Sequence, residues 1–251
     1  MQRYFINEAK VNLEHDIKVV GDDVHHISRV LRMQPGNTIV CCTNDGFEAL
    51  CEIAEITNDQ VVCRILEWMT VNHELPVHIT IASGLPKGDK LEWIIQKGTE
   101  LGAASFIPFN AARSIVKIDL KKLGKKQERW QKIAKEASEQ SYRNKIPSII
   151  EPQSFLELLE RSKSFDVKIV AYEESAKSGE KKNLAKALGM LNKGQSMLAV
   201  FGPEGGLTEA EISKLEEHGF IICSFGPRIL RTETAPLYLL SAVSYYIELS
   251  R

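Results

Sequence analysis

Several function classes are missing from this chain before any motif in it is considered. No apolar run approaches the ~18 residues that a membrane-crossing helix needs. The opening MQRYFINEAK has no apolar h-region, so a secretory signal is not expected either. Cysteine is sparse: Cys41, Cys42, Cys51, Cys63 and Cys223 form an odd set without a C-x-x-C pair. That pattern disfavours a disulfide framework and fits reduced thiols in the cytoplasm, with the first four lying in strand-like runs as small buried hydrophobes. The six histidines show neither H-E-x-x-H nor another metal-ligand spacing, and no metal is expected. Neither G-x-G-x-x-G nor G-x-x-x-x-G-K-[ST] occurs, which disfavours a conventional dinucleotide or nucleoside-triphosphate site. Net charge is also nearly absent, at −1 from 32 basic and 33 acidic residues.

What the chain does have is an ordinary globular composition, 43% hydrophobic and 26% charged over 251 residues, enough for one large or two modest domains. Its charge is unevenly spread. Residues 1–72 carry six Lys/Arg against eleven Asp/Glu, whereas residues 73–251 carry 26 against 22. Arg113 to Lys135 holds nine basic residues and two acidic ones, a pattern shared by a solvated helix face and by a surface that tracks phosphates.

The pattern changes near residue 72. Before it come short strand-like runs at Arg3–Ile6, Ile17–Val20, Thr38–Thr43, Phe47–Ile56 and Gln60–Leu66, with Asn44-Asp45-Gly46 as a hairpin turn. Val24, Ile27, Val30 and Leu31 recur at helical spacing, leaving His25, Arg29 and Arg32 to face outward. Short strands with one helix predict a small closed barrel. After Pro76, strand-like runs at Val77–Ser83, Ser105–Phe109, Val167–Tyr172, Met197–Phe201 and Phe220–Phe225 alternate with helical stripes such as Leu91-Ile94-Ile95 and Trp130-Ile133-Ala134-Ala137. This alternation predicts an α/β domain with a mainly parallel sheet. Thr208 with Glu211 forms a capping box, and Thr234 is the expected N-cap of the last helix. Ser175–Lys182 reads as a polar loop.

Two loops carry the functional signal. Phe201-Gly202-Pro203-Glu204-Gly205-Gly206 follows an apolar strand and precedes the capped helix, where glycines let a ligand approach the backbone closely. About twenty residues on, Phe225-Gly226-Pro227-Arg228-Ile229-Leu230-Arg231-Thr232-Glu233-Thr234-Ala235-Pro236 places two aliphatics between two arginines. A loop that packs inward while presenting cations to an anionic ligand needs both. The pair suggests one site built from neighbouring strand-to-helix turns.

These loops resemble the signature of the ribosomal RNA small-subunit uracil-N3 methyltransferases, a family of the knotted SPOUT class. The likeness continues through His25-His26 with Arg29-Val30-Leu31-Arg32, through Lys87-Gly88-Asp89-Lys90 and Gln96-Lys97-Gly98-Thr99-Glu100-Leu101-Gly102, and through Glu139-Gln140-Ser141 with Arg143-Asn144. The resemblance implies a PUA-like β-barrel over residues 1–72 and a SPOUT methyltransferase domain over 73–251 whose C-terminal segment threads a trefoil knot. It implies S-adenosylmethionine as cofactor, small-subunit ribosomal RNA as partner and a homodimer.

Carried over residue by residue, the cofactor would be held by Tyr172, by Phe201, Gly202, Pro203, Glu204, Gly205 and Gly206, and by Ser224, Phe225, Gly226, Ile229, Leu230 and Arg231. Ile229 and Leu230 would pack on the adenine. Tyr172-Glu173-Glu174-Ser175 matches no motif of its own. Arg231 and Arg228 would stabilise charge on the target ring, and Glu233 would act as base or orient an arginine. Arg29, Arg32, Lys87, Lys90, Gln140 and Arg143 are the candidates for RNA contact. A SPOUT enzyme acting on another RNA position, and an RNA-binding assembly module without turnover, are the competing readings.

Overall fold

The computed structural model describes residues 1–116, 120–172 and 182–250, which form two compact units. The smaller unit comprises Met1–Glu74 together with Ser138–Ile146. Its five strands are β1 (Arg3–Phe5), β2 (Asp16–Val20), β3 (Thr38–Cys42), β4 (Glu48–Ile56) and β5 (Gln60–Met69), in the spatial order β1-β3-β4-β5-β2. The pair β1–β3 is parallel and the others are antiparallel. β1 and β2 remain as edges, so the expected barrel is a PUA-like half-barrel, not a closed one. Alternation along the strands turns Ile17, Val19, Ile39, Cys41, Cys51, Ile53, Val61 and Cys63 into one buried cluster with Tyr4 and Ile27. All five cysteines are free and buried, and burial pushes the Cys42 thiol up to about 12.

The helix expected in this unit departs from the register predicted for it. α1 (Asp22–His25) runs directly into a π-helical turn over His26–Val30, in which the Leu31 amide donates to the His26 carbonyl at 2.9 Å. The wider turn rotates the side chains after Ile27 away from the core. Val24 and Ile27 are therefore buried, while Val30 and Leu31 are exposed.

The segment Ser138–Ile146 joins this unit through buried polar contacts rather than apolar periodicity. The Arg143 guanidinium pairs with Glu74, whose Oε1 also accepts from the Asn144 and Lys145 amides at 2.9 and 3.1 Å. The Arg143 carbonyl accepts from Arg3 Nη1 at 3.0 Å. Such contacts have no sequence period, which is why a division at residue 72 leaves this segment with the second domain.

The larger unit comprises Leu75–Ala137 and Pro147–Arg251. Its strands are β6 (His78–Gly84), β7 (Ser105–Asn110), β8 (Ser148–Ile149), β9 (Gln153–Ser154), β10 (Val167–Ala171), β11 (Ser196–Phe201) and β12 (Ile221–Cys223). They pair in the order β12-β10-β11-β6-β7-β8, with β9 also on β7, and every pairing is parallel. The near-continuous apolar runs in β6, β10 and β11 suit strands covered on both faces. Helices α2 (Lys90–Glu100), α3 (Leu120–Gln140), α4 (Phe155–Ser162), α5 (Asn183–Met190), α6 (Glu209–Glu217) and α7 (Thr234–Ser244) connect them or follow them. No helix among the described residues is long and apolar enough to cross a membrane.

Candidate active site

Ligands of parallel sheets bind beyond the carboxyl ends of the strands. Here β10, β11 and β12 are neighbours, and the loops leaving all three open onto one cavity of about 1000 Å³. Its wall includes Tyr172 after β10, Phe201 to Leu207 after β11, and Cys223 to Thr232 after β12. Every residue expected to hold the cofactor lines it, Arg231 among them, as does Arg228. Glu173, Glu174 and Ser175 lie outside the described residues, as does most of the polar loop expected at 175–182.

Local packing explains why the first loop takes this path. A Cβ on Gly84, the last residue of β6, would sit 2.6 Å from Pro203 Cδ and 2.8 Å from the Pro203 nitrogen, so only glycine lets the loop cross here. A Cβ on Gly202 would approach the Gly206 and Leu207 backbone at 2.9–3.0 Å, which makes the turn itself glycine-dependent. Gly202→Ala is expected to open this turn and weaken S-adenosylmethionine binding at least tenfold, measured by calorimetry, with melting of the chain little changed; unaltered affinity would remove the turn from the cofactor site.

Beyond the turn, Thr208 caps α6: its Oγ1 accepts from the Glu211 amide at 3.2 Å, and Glu211 Oε2 accepts from the Thr208 amide at 2.8 Å. Buried Glu211 also accepts from the Ala112 amide at 2.8 Å through its other oxygen.

The second loop is fastened to the first. Thr232 Oγ1 donates to the Gly202 carbonyl at 2.7 Å. Beneath them Phe225 meets Phe201 edge-on at 5.7 Å and stacks on Tyr238 at 5.9 Å. Ile229, expected to pack on the adenine, is 74% exposed and lines the cavity. The last helix begins one residue earlier than expected: the Thr234 and Ala235 amides both donate to the Arg231 carbonyl, making Glu233 the N-cap residue and placing Thr234 inside the helix.

Lys90 is where the structure and the sequence differ most. Expected as an RNA contact, it lines the cavity, with Nζ 3.0 Å from Glu204 Oε1 and 3.3 Å from Glu233 Oε2. The hydrogen bond to Glu204 chiefly raises its pKa, against partial desolvation. Burial alone would raise the Glu204 pKa, but backbone donors and Lys90 outweigh it and leave it lowered. Both groups are thus charged at neutral pH, and one ammonium joins the two loops. Arg231 is 82% exposed, its Nη1 4.0 Å from Glu233 Oε1.

Arg113 is a residue that the sequence did not single out by role. It lines the same cavity, and its Nη1 donates to the Gly205 carbonyl at 3.1 Å and the Leu207 carbonyl at 3.3 Å, bracing the glycine loop. A basic run offers no means of telling such a brace from a solvated lysine.

Of the remaining RNA-contact candidates, Lys87 meets the first loop, its amide donating to Glu204 Oε1 at 3.1 Å. Arg29 and Arg32 are exposed on the smaller unit, Lys87 is exposed before α2, and Gln140 is exposed at the end of α3. Arg143 is corrected: it is 3% exposed, with its guanidinium committed to Glu74, and cannot reach a phosphate. Among the described residues no cluster of His, Cys, Asp and Glu could hold a metal.

A family model described as an RNA methyltransferase domain matches residues 73–244, and one described as an RNA methyltransferase PUA domain matches residues 21–66. The chain is 58% identical to the ribosomal RNA small subunit methyltransferase E of Bacillus subtilis, covering 100% of this chain and 99% of that protein. It belongs to the ribosomal RNA small-subunit methyltransferase E family.

Solved structures agree with this. The crystal structure of the family's Neisseria gonorrhoeae enzyme, bound to S-adenosyl methionine, superposes with a TM-score of 0.84 at 29% identity over 98% of each chain. A methyltransferase from Legionella pneumophila in complex with the same cofactor gives 0.83 at 30% identity over 97% of each. The larger unit is therefore a SPOUT methyltransferase domain.

Proposed function

We propose that this chain transfers a methyl group from S-adenosylmethionine to N3 of a uridine in small-subunit ribosomal RNA. The observation that carries the reading is the single cavity at the carboxyl ends of β10, β11 and β12, which gathers every residue expected to hold the cofactor. Its volume of about 1000 Å³ suits a cofactor-sized molecule. Gly202 allows close backbone approach, Phe201 and Phe225 supply an apolar floor, and Lys90 and the loop arginines supply charge.

When bound, the cofactor supplies a methyl group already activated on a sulfonium. The chain's own task is to position the uracil and to favour loss of its N3 proton. That loss spreads negative charge over the two ring oxygens, and a guanidinium placed beside them stabilises it. Arg231 and Arg228 stand at the cavity for this role. Glu233 lies between Lys90 and Arg231, which supports an orienting role for its carboxylate over that of a base.

We further infer a homodimer, with a knotted C-terminal segment and a cytoplasmic location. Exposed Tyr238, Tyr245 and Leu249 support the dimer, which sedimentation equilibrium measures directly. Purified protein incubated with labelled S-adenosylmethionine and small ribosomal subunits from a strain lacking the gene should yield N3-methyluridine on digestion and mass spectrometry. Label on a ribose or another base would overturn the chemistry. Cofactor binding without transfer would make this an assembly module.

A further inference from the structure

A second cavity, of about 140 Å³, lies wholly within the smaller unit and is lined by Met1, Gln2, Arg3, His26, Glu139, Gln140 and Tyr142. Nearly all of these are polar, and they come from three separate stretches of chain. The volume equals roughly four or five waters in bulk, or a single pyrimidine base.

Tyr142 is the telling residue. Its φ of +60° places it in the left-handed region, which a bulky aromatic rarely adopts. Conformations of this kind persist where the surroundings over-determine them, and they cluster at ligand clamps. The surroundings are visible: the Arg3 guanidinium lies 5.1 Å from the ring centroid, and His73 meets the ring edge-on at 6.4 Å. Arg3 is itself fixed by its pairing with Glu48 and by the Arg143 carbonyl. The residue so held is nevertheless 44% exposed. A residue serving only the core would not need an unfavourable backbone to keep an aromatic face at the surface.

The rest of the lining can read an edge. His26 uses Nδ1 with the Tyr4 hydroxyl at 3.0 Å, which leaves its Nε2 for another partner. Gln2 and Gln140 are exposed amides, each with a donor and an acceptor. Arg3 Nε, buried in the same wall, has no hydrogen-bond partner among the described residues.

We propose that this cleft takes one unstacked base of the RNA substrate, with Tyr142 as the stacking face and Gln140, Gln2 and His26 contacting the base edge. Splayed single-stranded bases are recognised in this way, by stacking on an aromatic and by hydrogen bonds to exposed edges. The polar, mixed donor–acceptor lining fits a base better than it fits a phosphate, because Arg3 is already neutralised by Glu48, Glu139 adds a carboxyl group to offset the Met1 ammonium, and that ammonium donates to the Tyr142 hydroxyl at 3.3 Å. The inference rests on the functional reading given above for its RNA substrate.

The test is binding of a small-subunit ribosomal RNA fragment, followed by fluorescence anisotropy, with cofactor affinity and thermal melting measured on the same samples. Tyr142→Ala is expected to weaken RNA binding about 5- to 100-fold, the range for loss of one base–aromatic stack. The loss should appear in KM for RNA, with cofactor affinity unchanged. Tyr142→Phe keeps the ring and should restore binding. Gln140→Ala, at an exposed position, should weaken RNA binding without lowering the melting temperature. Photocrosslinking with 4-thiouridine-substituted RNA should map to Tyr142. RNA binding that survives Tyr142→Ala and Gln140→Ala overturns the cleft, whether or not the wild-type protein methylates. Absence of methyl transfer by wild type, with these binding losses intact, overturns the functional reading and leaves the cleft standing.

Discussion

Arg231→Ala is expected to lower the rate of methyl transfer by about 10²–10³-fold, the usual loss when one preorganised donor to a developing negative charge is removed. The side chain is 82% exposed at the cavity, and its nearest carboxylate, on Glu233, is 4.0 Å away. Truncating it leaves no buried group without a partner, so the melting temperature should stay within a degree or two of wild type. Cofactor affinity should fall by less than the rate does, because the loop is fastened elsewhere by Thr232 on Gly202 and by Lys90 on Glu204 and Glu233. Single-turnover methylation of small ribosomal subunits reads the chemical step alone. Arg231→Lys keeps the charge but loses the planar fork, and should recover only part of the rate. Wild-type turnover in Arg231→Ala would pass the role to Arg228 or Lys90, each of which also lines the cavity.

Most of the framework that positions these side chains was legible in local pattern. Strand alternation located β1 to β5 to within a residue or two at most ends, and the apolar runs located β6, β7, β10, β11 and, more loosely, β12. These signals survive because each reports burial of a whole face. The short β8 and β9 were missed: two residues give no period to read. Helix α4 was also missed, although Ser154 and Glu157 form a capping box as complete as that of Thr208 and Glu211. Applying the same rule there would have found it.

The site was legible at the level of its loops and less so at the level of its charges. Glycines report close approach, and those of the first loop pointed to the cavity that the structure contains. Charged residues report only that a partner or solvent is near. Lys90 and Arg143 both read as cations available to RNA, yet one joins two loops of the cavity and the other is sealed against Glu74. Their partners lie 114 and 143 residues away in the chain for Lys90 and 69 for Arg143, beyond the reach of any local pattern.

The largest expected change in stability comes from Glu48→Ala. Arg3 and Glu48 face each other with side chains 2% and 0% exposed, and both guanidinium Nη nitrogens donate to the carboxylate. Removing the acid leaves a buried guanidinium whose remaining hydrogen-bond partners are the neutral Arg143 carbonyl and Cys42 thiol. Breaking such a pair from one side typically costs about 3–5 kcal/mol, because the remaining charge keeps its desolvation penalty without its partner. The effect should spread along one route. Arg3 Nη1 also donates to the Arg143 carbonyl, so a displaced Arg3 loosens Ser138–Ile146, the segment tied to this unit by polar contacts. Hydrogen exchange should therefore quicken in β1, β3 and residues 138–146, while β6 and β11 of the larger unit keep wild-type protection. Replacing both partners, Arg3→Met with Glu48→Leu, removes the charge as well as its partner and should recover most of the stability in urea unfolding. A loss below about 1 kcal/mol in Glu48→Ala, at the level of an exposed ion pair, would mean that water reaches Arg3 and that the pair is not a buried anchor of this unit.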